Sequence, residues 1–185
     1  MPAAADDLVR LVLVPDQSEV RYRVREQLAG VSLPSDAVGA TKALSGTIVG
    51  RMDGTIVSEK SIFQVDLRPL KSDEAIRDNF IGRSVLETAR FPYATFVPTS
   101  APGLALALPD SGELAFKLVG NLTIRDVTKP VTWNVTGKVV GNTATGQAST
   151  TFTFEDFNLT QPHVSRVLSI VDSIRLELDL TLQRQ

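Results

Sequence analysis

Ser173-Ile-Arg-Leu-Glu-Leu-Asp-Leu-Thr-Leu182 alternates without a break. Ile174, Leu176, Leu178, Leu180 and Leu182 fall on one parity; Ser173, Arg175, Glu177, Asp179 and Thr181 fall on the other. Successive side chains of a β-strand point to opposite faces, so this stretch reads as a strand with one apolar and one wet face. Strands of that kind belong to antiparallel sheets, which can pack one side and wet the other.

The same rhythm recurs outward from it. Val20, Tyr22 and Val24 alternate with Glu19, Arg21, Arg23 and Arg25. Leu114, Phe116, Leu118, Leu122 and Ile124 alternate with Lys117, Asn121, Thr123 and Arg125. Val131, Trp133 and Val135, then Phe63, Val65 and Leu67, then Phe152 and Phe154, repeat it on shorter runs. Asp53-Gly54, Pro109-Asp110-Ser111-Gly112 and Gly141-Asn142 supply the turns. The spacing predicts about eight strands, and a closed barrel of eight can be filled by side chains or hold one ligand.

Two stretches depart from the rhythm. Residues 29–43 are rich in Gly, Ser, Ala and Pro and read as a long loop. Residues 72–90 carry Ile76, Phe80, Ile81, Val85 and Leu86 at roughly helical spacing, with Ser72 and Asp73 as caps. They predict one or two short helices over one barrel end. The expectation is an all-β chain: a tail over residues 1–9 and one barrel domain over residues 10–185. The opening Met1-Pro-Ala-Ala-Ala-Asp-Asp7 has no apolar core, so it is not itself a signal peptide, although it could be the stub left when a leader or anchor is removed.

Composition narrows the chemistry. The chain has 185 residues, no cysteine, one histidine and a net charge of -2. A cysteine-free chain has no disulfide framework and no thiol nucleophile, and the slight acidic excess argues against nucleic acid as a partner. No stretch approaches the ~18–20 apolar residues of a membrane span. His163 follows Pro162 in a polar stretch and reads as an exposed loop residue. Asp73, Glu74 and Asp78 could hold a hard cation, but a solvated helix face is the simpler reading. Arg21, Arg23 and Arg25 read as an outer barrel face. No catalytic or phosphate-binding motif is present, so the reading is of a protein without enzymatic activity, metal or cofactor.

Three segments together resemble the YceI-like family of bacterial polyisoprenoid-binding proteins. Gly120-Asn-Leu-Thr-Ile-Arg-Asp-Val-Thr-Lys-Pro-Val-Thr132 is similar to the family's GxLTxxxVTKPVT signature. Arg77-Asp-Asn followed by Leu86-Glu-Thr-Ala-Arg-Phe-Pro-Tyr-Ala-Thr-Phe96 is similar to its RDxx…YPxxxF block. Pro15-Asp-Gln-Ser-Glu-Val-Arg-Tyr22 is similar to its first strand, and the likeness runs from about Leu11 to Leu182. Members often carry histidines where this chain has Asn79-Phe80 and Arg125-Asp126.

The resemblance implies a lipocalin-like eight-stranded barrel holding a polyisoprenoid or quinone-like lipid. It also implies export to the periplasm or cell surface; a cytoplasmic place and a homodimer both stay open. On the apolar parity, the expected lining is Phe63, Phe116, Leu118, Leu122, Trp133, Phe152, Phe154, Leu176 and Leu178, with Phe96 beside them and Phe80 and Leu86 from the helical lid. The rival is a packed barrel without ligand, whose sequence would look the same because core and pocket positions are both apolar.

Overall fold

In the computed structural model every strand runs antiparallel to its neighbours and the sheet closes on itself. The structure describes residues 8–104, 111–163 and 165–185. The strands are β1 (Leu8–Leu13), β2 (Glu19–Leu28), β3 (Ser35–Thr41), β4 (Leu44–Arg51), β5 (Ile62–Asp66), β6 (Tyr93–Ser100), β7 (Ser111–Ile124), β8 (Val127–Val140), β9 (Thr143–Phe152) and β10 (Val167–Arg184).

Ten strands make eight staves. β1 and β2 lie end to end along β10: Leu13 faces Leu182, and after the 3₁₀ turn Pro15–Gln17, Val20 faces Leu178. β3 and β4 lie end to end on their far side, β3 against β2 and β4 against β1. The remaining staves follow in chain order, and β10 closes the ring on the first. The barrel is thus an eight-stave up-and-down meander, in which closure leaves few free edges. β1 already pairs at Leu8, opposite Arg51. The rest of the expected tail, residues 1–7, and the Pro109-Asp110 half of one expected turn lie outside the described residues.

The loop expected over residues 29–43 is corrected by the structure: a turn, then strand β3. Its glycine at position 39 has a packing cause. The Tyr22 ring lies flat over Gly39, its partner across the ladder, and a Cβ there would come within 2.2 Å of it. Phe63 covers Gly46 in the same way, and Phe96 covers Gly120. A ring laid over a glycine hugs the barrel wall and leaves the centre free.

The helical insertion falls inside residues 72–90. It comprises α1 (Ala75–Phe80) and a π-helical turn, Ile81–Val85. Short 3₁₀ turns also occur outside it, at Pro15–Gln17, Ser58–Lys60 and Glu155–Phe157. The N-cap is Glu74, without a side-chain cap bond, rather than Ser72 or Asp73. Ser72 instead donates from its N–H (2.9 Å) and hydroxyl (2.6 Å) to Asp78, one turn into the helix. At the far end, Glu87 and Arg125 both adopt left-handed backbone, φ 49° and 57°, and their side chains pair at 2.5 Å. Arg125 sits in the two-residue β7–β8 hairpin, so this pair pins the insertion to the barrel rim.

The outer face of the β2–β10 pair carries Arg21, Arg23 and Arg25, as the alternation requires. Arg21 pairs with Glu19 (2.9 Å) and Asp179 (2.6 Å), Arg23 with Glu177 (3.4 Å) and Asp36 (3.3 Å), and Arg25 with Asp36 (3.4 Å). The stripe is a cross-strand ion-pair ladder.

Candidate functional site

The apolar parity of nearly every stave points inward onto one cavity of about 530 Å³. From β10 come Ile174, Leu176, Leu178, Leu180 and Leu182; from β2 come Val20, Tyr22 and Val24; from β7 come Leu114, Phe116, Leu118, Leu122 and Ile124. The cavity extends from Leu11 and Gly137 at one barrel end to Ile76, Pro162 and Val167 at the other. Its volume falls within the ~300–1,000 Å³ of ordinary small-molecule sites.

Of the twelve positions expected to line the interior, eleven do: Phe63, Leu86, Phe96, Phe116, Leu118, Leu122, Trp133, Phe152, Phe154, Leu176 and Leu178. Phe80 does not reach the cavity and packs against the core cluster instead. From its helix, Ile76 and Arg77 are turned toward the opening, with Ile81 following from the π-turn. Trp133 is 5% exposed and meets Phe96 edge to face, ring centroids 5.9 Å apart. Its indole N–H is buried and has no hydrogen-bond partner.

Glu26 and Arg77 set a charge pair into the predominantly apolar wall. Glu26 continues the inward parity of β2 beyond Val24 and is 5% exposed. Its carboxylate accepts from Arg77 of α1 at 2.5 Å. Arg77 also donates to Ser72 (3.1 Å) and Asp73 (2.7 Å). Burial alone would lower Arg77, but Asp73 and Glu26 outweigh it and hold the guanidinium above its ordinary value. Tyr22, two positions before Val24 on the same parity, has its hydroxyl buried without a partner, and burial pushes its pKa up to about 12. The pair therefore ties the helix to the cavity mouth and sets a fixed charge pair at the top of a greasy shaft.

Glu26 was legible: a glutamate at the fourth place of Val20, Tyr22, Val24 breaks an apolar series. Its pairing with Arg77 is not, because the two lie 51 residues apart in sequence. The other candidates carry no such geometry. His163 is exposed and outside the cavity lining. Asp73 is engaged by Arg77 and Asp78 by Ser72, and no group of three His, Cys, Asp or Glu among the described residues could hold a metal ion. No helix among the described residues is long and apolar enough to cross a membrane.

Known proteins share this architecture. A polyisoprenoid-binding domain from Saccharophagus degradans, implicated in plant cell wall breakdown, superposes with a TM-score of 0.74 at 14% identity, covering 95% of this chain and 98% of that one. The YceI protein of Campylobacter jejuni superposes with a TM-score of 0.67 at 14% identity, covering 86% and 90%. At that identity the likeness is one of fold. A UPF0312 protein of Pseudomonas putida strain W619 is 31% identical over 134 residues, 68% of this chain and 62% of that protein. One from Pseudomonas fluorescens is 32% identical over the same shares. The match thus spans less than two thirds of the length of these relatives. The model of the YceI-like domain matches residues 11–182, from within β1 to within β10, and the chain belongs to the YceI-like family.

Proposed function

We propose that this protein binds one long apolar lipid, a polyisoprenoid or isoprenoid quinone, inside the barrel and carries, stores or protects it without transforming it. The observation that carries the reading is the large, mostly apolar cavity running the length of the staves. A packed barrel would fill that space at the density of an organic crystal. The 14-residue strands β7 and β8 span ~46 Å along the chain. At a tilt of about 40° that is ~35 Å along the barrel axis, a shape for a thin chain rather than a compact molecule. Burial stabilises such a chain by about 0.8 kcal/mol per CH₂-sized group, or ~3–4 kcal/mol gross for each five-carbon unit before association costs.

The Glu26–Arg77 pair at the mouth supplies the polar contact that fixes a headgroup, and the α1 segment closes over it. The name of the S. degradans domain supports the isoprenoid class. The setting that fits is the bacterial periplasm or cell surface, where such lipids must be kept from water. Native mass spectrometry of the purified chain, followed by organic extraction, tests the reading. A co-purifying polyprenyl lipid with one-to-one stoichiometry is expected. A lipid-free protein that also fails to take up added polyprenol defeats it.

A further inference from the structure

Large apolar side chains left in water are not spread evenly over this barrel. Among the described residues nine are exposed, and five of them, Val31, Leu33, Ile76, Leu168 and Val171, gather at the cavity mouth. The end of β2 places all five. Leu28 pairs with Val167, next to Leu168. Glu26 pairs with Ile170, next to Val171, and binds Arg77, next to Ile76. The turn that leaves β2 carries Val31 and Leu33. Leu33 is 73% exposed, Leu168 67% and Ile76 64%.

Val31 and Ile76 also belong to the cavity lining, so the outer apolar rim joins the inner apolar wall beside the Glu26–Arg77 pair. From this continuity we propose that the rim is a lipid-surface docking site, which seats the mouth on a bilayer so that the ligand passes between membrane and barrel without crossing water. The inference rests on the lipid-binding reading above. A second copy of the chain is the poorer occupant. The five side chains expose on the order of 500 Å², the size of patch that marks interaction surfaces. Two such faces together bury about 1,000 Å², short of the ~1,200–2,000 Å² of a stable association.

Charge does not carry the docking. The rim holds exposed Arg166 and Arg83, but also Asp73 and Glu74 just ahead of the helix. Docking by apolar insertion persists in salt, whereas attraction to an anionic surface is screened as the Debye length shrinks from ~10 Å at 0.1 M to ~3 Å at 1 M.

The test uses the full chain and uncharged phosphatidylcholine vesicles floated on a density gradient. The wild type floats, and does so equally in low and high salt. Leu33→Asp with Leu168→Asp lowers the floating fraction at least tenfold. Val140→Asp, equally apolar and exposed but at the opposite barrel end, leaves it unchanged. A wild type that stays at the bottom, floats only with anionic vesicles in low salt, or floats as well with the paired substitution overturns the proposal. So does sedimentation showing a dimer that the paired substitution dissolves, which assigns the rim to a second copy. Equilibrium uptake of polyprenol added from ethanol, read by Trp133 fluorescence, separates the two readings. The rim variants keep that uptake. Flotation without uptake leaves the docking standing and removes the interior site.

Discussion

The Glu26 carboxylate and the Arg77 guanidinium meet at 2.5 Å in the mouth of a mostly apolar cavity, one from β2 and the other from α1. Their side chains are 5% and 14% exposed, so neither charge is well served by water alone. A buried pair is a poor source of net stability, because desolvation consumes most of the attraction, yet removing one partner strands the other. Arg77→Met is therefore expected to destabilise the protein by about 3–5 kcal/mol. Glu26→Gln combined with Arg77→Met should recover most of that loss. Urea melts of the single and double variants measure it. A double variant no better than Arg77→Met would mean that Arg77 acts through Ser72 and Asp73 rather than through Glu26.

The wall itself can be tested at Gly46. A Cβ there would lie 2.1 Å from the Phe63 ring, which must then swing off the wall and into the shaft. Gly46→Ala is expected to cost roughly 1–3 kcal/mol by overpacking and to reduce lipid uptake further than its stability loss explains. Phe63→Leu in the same chain should restore both. Unchanged uptake by Gly46→Ala would show that the ring finds room elsewhere.

These two sites also mark how much the sequence discloses. The parity of β10 and β7 is plain, because each strand buries one face and a slip of one residue would expose every leucine. Eleven of the twelve expected lining residues follow from that parity or from the stretch that includes Leu86. β3 was hidden for the opposite reason. Ala37, Gly39 and Ala40 look like loop residues, and only the Tyr22 ring lying over Gly39 explains why the strand carries a glycine there. Phe80 was misplaced because helical spacing gives a face but not its direction, and α1 gives the mouth Ile76 and Arg77. The cavity is expected from the family resemblance and not from the periodicity. Whether inward apolar side chains fill a barrel or line a void depends on how rings lie along the wall, which periodicity does not encode.

Outside the barrel, the arginine ladder ties stability to acid. The Arg21 bond at 2.6 Å holds Asp179 below the ordinary carboxylate range. Burial pushes Glu177 up, but Arg23, Arg175 and Arg21 more than reverse it. Groups lowered in the folded state bind protons more readily when unfolded. Their contribution is complete above the unfolded values near ~4 and is lost as pH falls through the lower folded values. The urea midpoint is expected to hold from neutral pH down to about 5 and then to fall. Arg21→Met should flatten the fall, since Asp179 then titrates near its unfolded value. Molar salt should flatten it too, because the ladder is partly exposed. An acid limb unchanged by Arg21→Met would place the pH dependence elsewhere.

Trp133 is both a core residue and a piece of the cavity wall, and the two roles make separable demands. It is 5% exposed, packs edge to face on Phe96, and lines the shaft. It is the only tryptophan, so its emission reports the interior alone. A polyprenol entering the shaft is expected to shift that emission and to saturate at one lipid per chain. Trp133→Ala removes the ring from a site that is packed on one side and open on the other. A fully packed site would lose ~3–5 kcal/mol on such a truncation. Here part of the ring already faces a void, so the lipid-free protein should lose at the low end of that range or less. Lipid affinity, read for the variant by calorimetry because the fluorophore is gone, should fall at least tenfold, since the chain loses a large contact surface. The pairing of the two numbers is decisive. A full core-sized loss of stability, with no response of Trp133 emission to saturating lipid in the wild type, would mean that the shaft is closed to ligands in solution and that this barrel is a packed one.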